Sequence, residues 1–291
     1  MRTQYAPRIS AIFQPHDSDP KKHNAAMKGL LLASIVGVAL VAGAPANAAD
    51  LVAPGPHSTW TGCYIGANAG GVWSQTDITW VPNPAGFPVS GPTVAALGSN
   101  RINTSGFSGG GGIGCNYQAS FFVVGLEGDG QYTGINATLV NAFPGCATCG
   151  VGGAALGPMT VTETVQSRWL ATVRGRAAIA VSTLLFYVTG GVAVAEANFA
   201  DNLIASASGT FNAASNSTTR GGWVAGGGAE WLFVPSWSVK AEYLHVDLGT
   251  VSFTSANSNP LVFPLATIVH NHRLTENIGR IGVNYLFKWG N

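Results

Sequence analysis

NIGRIGVNYLF, from Asn277 to Phe287, separates into two unlike parities. Gly279, Ile281, Val283, Tyr285 and Phe287 form one apolar face that ends in aromatics, while Ile278, Arg280, Gly282, Asn284 and Leu286 form a mixed, polar one. A period of two is the pattern of a β-strand. An apolar face ending in aromatics, backed by a face holding Arg and Asn, suits a strand with lipid on one side and a polar barrel interior on the other. A water-soluble sheet also alternates, so the rest of the chain has to agree.

The amino-terminal region agrees. Lys28 is followed by an uncharged run from Gly29 to Ala44 and then by Pro45, Ala46, Asn47 and Ala48. A basic start, an apolar stretch and Ala-x-Ala make a secretory signal over 27–48, cut after Ala48. The run is short for a spanning helix, which needs about 20 apolar residues. Residues 1–26, with three prolines and no periodicity, read as a start-site overcall or a disordered extension, leaving 49–291 as the barrel. Residues 1–48 hold five of the 14 basic and two of the 13 acidic residues, so the exported chain keeps nine and eleven, a net charge of −2. That is no footprint for nucleic acid. The charged fraction of 9% is far below the roughly 25% of a soluble domain, yet no strong helical span follows the leader.

Proline stays out of central strands because it cannot donate to a ladder. The prolines of the exported chain fall in clusters, and the stretches between them alternate. They predict eight strands, at 61–73, 105–118, 120–132, 165–181, 184–198, 219–233, 236–249 and 273–288. The connections near 119, 182 and 234–235 are tight, whereas 74–104, 133–164, 199–218 and 250–272 read as long polar loops. Short turns on one side and long loops on the other are the arrangement of an outer-membrane barrel, with the long loops outside the cell. The fold class is all-β: an eight-stranded antiparallel up-and-down transmembrane β-barrel. Ala177 to Ala195 is uncharged, but the central Val181-Ser182-Thr183 turn and Gly190-Gly191 favour two strands over a helix.

The faces then sort the charges. Glu127, Asp129, Arg168, Arg174, Arg176, Arg220, Glu230, Lys240, Glu242, Glu276 and Arg280 all fall opposite an apolar, aromatic-rich parity. An Arg or Lys facing lipid at the midplane costs about 2–4 kcal/mol, so these eleven are expected to point inward as a ladder that pairs with itself. An eight-stranded barrel is just wide enough for side chains to fill. The ladder is therefore expected to plug the lumen. Gly109 to Gly112, inside an alternating run, marks a bent strand that lets lumen side chains approach.

Other chemistry is sparse. Cys146 and Cys149, in the second long loop, are expected to form a loop disulfide rather than a redox or zinc pair. Cys63 and Cys115 share the apolar parity of neighbouring strands near the periplasmic end and could face each other; free cysteines are slightly preferred, since pairing depends on a register that sequence does not fix. His270 and His272 share a parity, but with no third ligand in view they are read as a solvated pair, and no metal or cofactor is assigned. No His-Glu-x-x-His and no local Ser/His/Asp pattern is present, and Glu127 with Asp129 is explained by its Arg neighbours, so no enzyme is expected.

The leader MKGLLLASIVGVALVAGAPANAAD, the first strand WTGCYIGANAGGVW, the seventh strand WSVKAEYLHVDLG and the terminal NIGRIGVNYLF together resemble the Omp25/Omp31-like outer-membrane barrel family of alphaproteobacteria, a branch of the small OmpA-type barrels. The resemblance implies a Gram-negative outer-membrane protein with a structural, adhesive or antigenic role. It also implies two alternatives, a narrow porin-like channel for water or small ions and a loop-based receptor for haem or another ligand. The implied partners are outer-membrane lipid, the barrel-assembly machinery acting on Tyr285 and Phe287, and a host or surface ligand reached through the long loops. Family members typically stop on a Phe, whereas four residues, Lys288 to Asn291, follow Phe287 in this chain.

Overall fold

The computed structural model describes residues 60–148, 150–205 and 210–288. The leader at 27–48 with its cleavage position Ala48, the extension 1–26, Cys149 and residues 289–291 lie outside the described residues. Eight antiparallel strands follow in chain order: β1 Gly62–Pro82, β2 Arg101–Ala119, β3 Phe122–Phe143, β4 Met159–Val181, β5 Leu184–Ala205, β6 Thr210–Val234, β7 Trp237–Asn257 and β8 Ile268–Lys288. Each pairs with its neighbours, and β8 pairs with β1 from Gly62↔Lys288 to Pro82↔Ile268, so the sheet closes into a barrel. Two of the tight turns hold a serine at positive φ, Ser120 at 58° and Ser182 at 56°. Positive φ twists a short hairpin turn to match its strands. A helix, α1 (Gly91–Gly98), lies in the first outer connection.

The outward parity carries two aromatic rows. Trp73, Phe107, Tyr132, Trp169, Trp223 and Tyr243 make the outer row, and Tyr117, Phe122, Phe186, Trp231, Phe233, Trp237, Tyr285 and Phe287 the periplasmic row, all exposed. Between them the outward residues are Ile, Val, Leu, Ala and Gly, with Cys115 on β2. Trp223 and Phe233 on β6 are ten residues apart. At about 3.3 Å per residue and a strand tilt of roughly 40°, that spans about 25 Å, the height of a lipid-facing band.

The strands rise well beyond the outer row, and here the structure corrects the sequence reading. Much of 74–104, 133–164, 199–218 and 250–272 is barrel wall; the first, second and fourth outer connections shrink to 83–100, 144–158 and 258–267. The physical reason is an inversion of polarity. In β4 Met159, Val161 and Val165 are buried while Thr160, Thr162 and Thr164 face outward. Outside the membrane the outer face meets water, so polar side chains point out and apolar ones in. A search for apolar-out strands misses such segments.

Side chains fill the interior in layers. Trp60, Tyr64, Val123, Leu185, Tyr187, Leu232 and Leu286 close the periplasmic end. A cluster that includes Val72, Trp80, Val94, Ile102, Leu170, Phe199 and Leu274 fills the outer part. Charged residues lie between them.

Cys63 and Cys115 are disulfide-bonded, which corrects the reading of unlinked cysteines. They are direct partners in the β1–β2 ladder, and this register is what sequence could not supply. The bond closes a separation of 52 residues. By the chain-entropy argument such a link is worth about 4 kcal/mol. Cys63→Ser with Cys115→Ser, or reduction, should therefore lower the urea midpoint of the detergent-refolded barrel. An unchanged midpoint would show that the link adds nothing to stability.

Candidate functional site

The charged layer is built by inward residues of β3, β4, β6, β7 and β8. Glu127, Asp129, Arg174, Arg176, Glu230, Lys240, Glu242 and Arg280 are all buried there. Arg174 is central. Its guanidinium reaches Glu127 and Asp129 of β3 and Glu242 of β7 at once, the last at 2.9 Å. Arg280 spans two of these three acids from β8, with Nη2 at 2.9 Å from Asp129 Oδ2 and 2.6 Å from Glu242 Oε2. Lys240 Nζ lies 3.1 Å from Glu127 Oε1. Arg176 pairs with Glu230 and lies over the Tyr187 ring, 3.8 Å from its centroid. Four acids thus meet four bases, so the layer is neutral as a set.

Neutral side chains fill most of the remaining valences, with Arg176 Nε and Gln131 Nε2 left without a partner among the described residues. The Tyr64 hydroxyl donates to Glu127, the Tyr187 hydroxyl to Glu242 at 3.1 Å and the Asn284 amide to Glu230 at 2.7 Å. Thr172 donates to Asp129 at 3.1 Å, and Arg280 Nη1 donates to Gln131 at 2.8 Å. Buried ions are tolerated only when paired and fully hydrogen-bonded. The enclosed space beside Tyr64, Asn68, Glu127, Asp129, Lys240 and Asn284 is about 10 Å³, room for roughly one water. Glycine lets the groups pack this closely. A Cβ on Gly110 would lie 2.6 Å from the Cα of Gln131, and one on Gly112 would lie 2.9 Å from Asp129 Cβ. The close approach expected at Gly109 to Gly112 is therefore made by the two that face inward. The β1–β2 register runs through this stretch without a shift.

Three of the eleven expected ladder residues are elsewhere. Arg168 is exposed. The β4 ladder shifts register between Gln166 and Leu170. The irregularity turns both Arg168 and Trp169 outward, and simple alternation does not foresee it. Arg220 lies above the outer aromatic row, half-buried, and donates to the Thr250 carbonyl at 2.8 Å where β6 and β7 are unpaired. Glu276 is inward and fully buried but makes no ion pair among the described residues.

Nearer the outer rim lies a second polar group. His270 and His272 are not a solvated pair: both are on β8, at most 1% exposed. Their parity turns them into the upper lumen, where burial replaces solvation. Asp201 of β5 meets them, its Oδ2 lying 2.8 Å from His270 Nδ1 and 2.7 Å from His272 Nε2. This supplies the third ligand type that the sequence did not reveal, so these three residues could hold a metal. Burial opposes ionisation of Asp201, but the two imidazoles outweigh it and hold the carboxyl below its ordinary range. Glu163, its direct partner on β4, is pushed up to about 8 by burial and then by Asp201. Cys146 is disulfide-bonded, and its expected partner Cys149 lies outside the described residues.

Sequence reasoning passed over Tyr64, Tyr187, Asn284 and Asp201. Their inward parity was a usable signal for the first three. Asp201 was hidden because 199–218 read as loop.

The family model for the outer membrane protein beta-barrel domain matches residues 36–269. The chain is 30% identical over 271 residues to the 31 kDa outer-membrane immunogenic protein of Brucella melitensis biotype 1, covering 90% of this chain and all of that one. The protein of the same name from Brucella suis biovar 1 matches equally. Among solved structures, the Neisserial surface protein A is 11% identical, with 78% of this chain and 98% of that chain covered at a TM-score of 0.34.

The network predicts a large difference between two Arg→Ala substitutions. Arg174→Ala leaves three buried carboxylates short of a partner and should cost about 3–5 kcal/mol. Arg101→Ala removes an exposed pair with Asp77 and should cost less than about 1 kcal/mol. Urea unfolding in detergent measures both; equal costs would mean that the lumen network contributes no more than a surface pair.

Proposed function

The chain belongs to the outer membrane protein β-barrel family, and we propose that its part in the outer membrane is that of a plugged, surface-exposed structural barrel. The observation that carries this reading is the neutral set of four acids and four bases, each engaged by its neighbours across the lumen. An open aqueous pore needs side chains that leave a path between them. Here the space beside the network is about 10 Å³, and apolar layers lie above and below it. A narrow channel for water or ions is therefore disfavoured.

The surface role rests on the rim. The Asn83 amide donates to Thr267 and the Val151 amide to Val89, so the first, second and fourth outer connections are tied together. The fourth presents an apolar tip, with Leu261, Val262, Phe263 and Leu265 exposed, Leu261 at 95%. Exposed apolar clusters on polar surroundings mark contact surfaces. The reading gives this tip the adhesive or antigenic contact, in accord with the relatives named as immunogenic. Tyr285 and Phe287, whose rings meet edge to face at 4.9 Å, are the terminal aromatics offered to the assembly machinery. The reading assigns no catalysis, no cofactor and no nucleic-acid partner.

Two measurements test it. Refolded protein in planar bilayers should show conductance absent or very small, and a steady large channel would refute the plug. Proteinase K on intact cells should cut within 258–267 and leave the barrel core; a chain resistant on intact cells but cut in lysed ones would refute exposure of that tip.

A further inference from the structure

We propose that Asp201, His270 and His272 bind one divalent transition-metal ion, of which Zn²⁺ is the representative, in the outer part of the barrel. One ligand atom from each residue lies within 4.8 Å of the other two. All three side chains are buried. Their elements are far apart in sequence and not adjacent in the ring: Asp201 is on β5 and the histidines are on β8. The group therefore meets across the lumen.

The local hydrogen bonding is incomplete without a further group. Both imidazoles close on the same atom, Asp201 Oδ2. Asp201 Oδ1, His272 Nδ1 and the neighbouring Glu163 Oε1 are buried and have no hydrogen-bond partner among the described residues. Glu163 is the direct register partner of Asp201, so two carboxylates stand side by side. Among the described residues no Lys or Arg forms an ion pair with either. Unpartnered buried polar atoms are costly. A dication between the three residues takes a lone pair from His272 Nε2 and from His270 Nδ1, which has no hydrogen-bond partner among the described residues, and it balances the charge of Asp201. Imidazole ligands select a borderline ion over Ca²⁺ or Mg²⁺, which take oxygen.

The geometry needs little adjustment. Bonds of about 2.1 Å in a tetrahedral site put ligand atoms roughly 3.4 Å apart. The present separations of 2.8 and 2.7 Å would open by about 0.7 Å. The surroundings hold the rings in place. Ser255 Oγ is 2.9 Å from His270 Nε2, an outer contact of the kind that orients a metal-bound imidazole. Phe253 stacks on both rings at 5.2 and 5.3 Å, and Trp80 and Phe199 each approach one at 4.5 Å. Asn100 Nδ2 donates to Glu163 Oε2 at 2.9 Å and steers that carboxylate. The β6–β7 ladder is irregular between Ala213↔Ala256 and Trp223↔Asp247, beside the segment that carries Phe253 and Ser255. The ion would tie β5 to β8 across the barrel and brace the rim.

The test uses the full exported chain, refolded in detergent, shown to be folded by its different mobility before and after boiling, and stripped with EDTA. It should take up one Zn²⁺ per chain by calorimetry and elemental analysis. Co²⁺ in its place should give the visible bands of nitrogen and oxygen coordination without a thiolate band. Asp201→Asn and the double variant His270→Gln with His272→Gln should each lose at least about tenfold in Zn²⁺ affinity. His245→Gln, which lies outside the group, should bind as wild type does. Should the variants fail to fold, the wild type still decides: Zn²⁺ should raise its thermal midpoint in a concentration-dependent way and Mg²⁺ should not. A folded wild-type chain that takes up no Zn²⁺, or folded site variants that bind it unchanged, overturns the proposal.

Discussion

Closure of β1 against β8 is the constraint on which the rest depends. Within lipid no water satisfies backbone N–H and C=O groups, so a sheet can cross only if it has no edge. The unbroken pairing from Gly62↔Lys288 to Pro82↔Ile268 removes the last edge. Once the ring is closed, each strand has an inside and an outside, and a side chain's parity settles its solvent. Charged residues on strands that face lipid have one place to go. Inside a narrow ring they meet one another, and mutual pairing becomes the condition for burying them at all.

That condition explains why Arg174 and Arg280 each contact more than one acid. A guanidinium presents a planar fork of donors and can serve two carboxylates, whereas Lys240 serves chiefly Glu127 as a point charge. Tyr64 and Tyr187 then add hydroxyl donors to carboxylate oxygens that Lys240 and Arg174 also hold. The inward glycines of β2 provide the room. The layer is a single cooperative object, and a sealed interior is the reading it supports.

Beyond the outer aromatic row the same strands obey the opposite rule. With water outside, the wall turns its threonines and asparagines out and its apolar residues in. Two irregularities carry strands across this change. One in β4 turns Arg168 outward. The other, in β7 between Asp247 and Thr250, holds Gly249 at φ 70° and swaps the inward parity so that Ser255 faces His270. The aromatic and polar pocket around Asp201 exists because of that swap.

Much was legible in the sequence because alternation, proline placement and turn residues are local. Eight strands, their order, their lipid faces and eight of the network's charged residues follow from parity, and parity follows from the geometry of an extended chain. Arg168 was misplaced because an irregularity breaks parity without a strong local mark. Asp201 was missed because its strand segment lies outside lipid and carries no apolar-out pattern. The sequence by itself determined that the chain closes into an outer-membrane barrel with charges inside. Only the tertiary structure decided which charges meet, that Cys63 faces Cys115, and that Asp201 joins His270 and His272. Those contacts depend on register and on distances across the lumen, and neither is a property of any local stretch of chain.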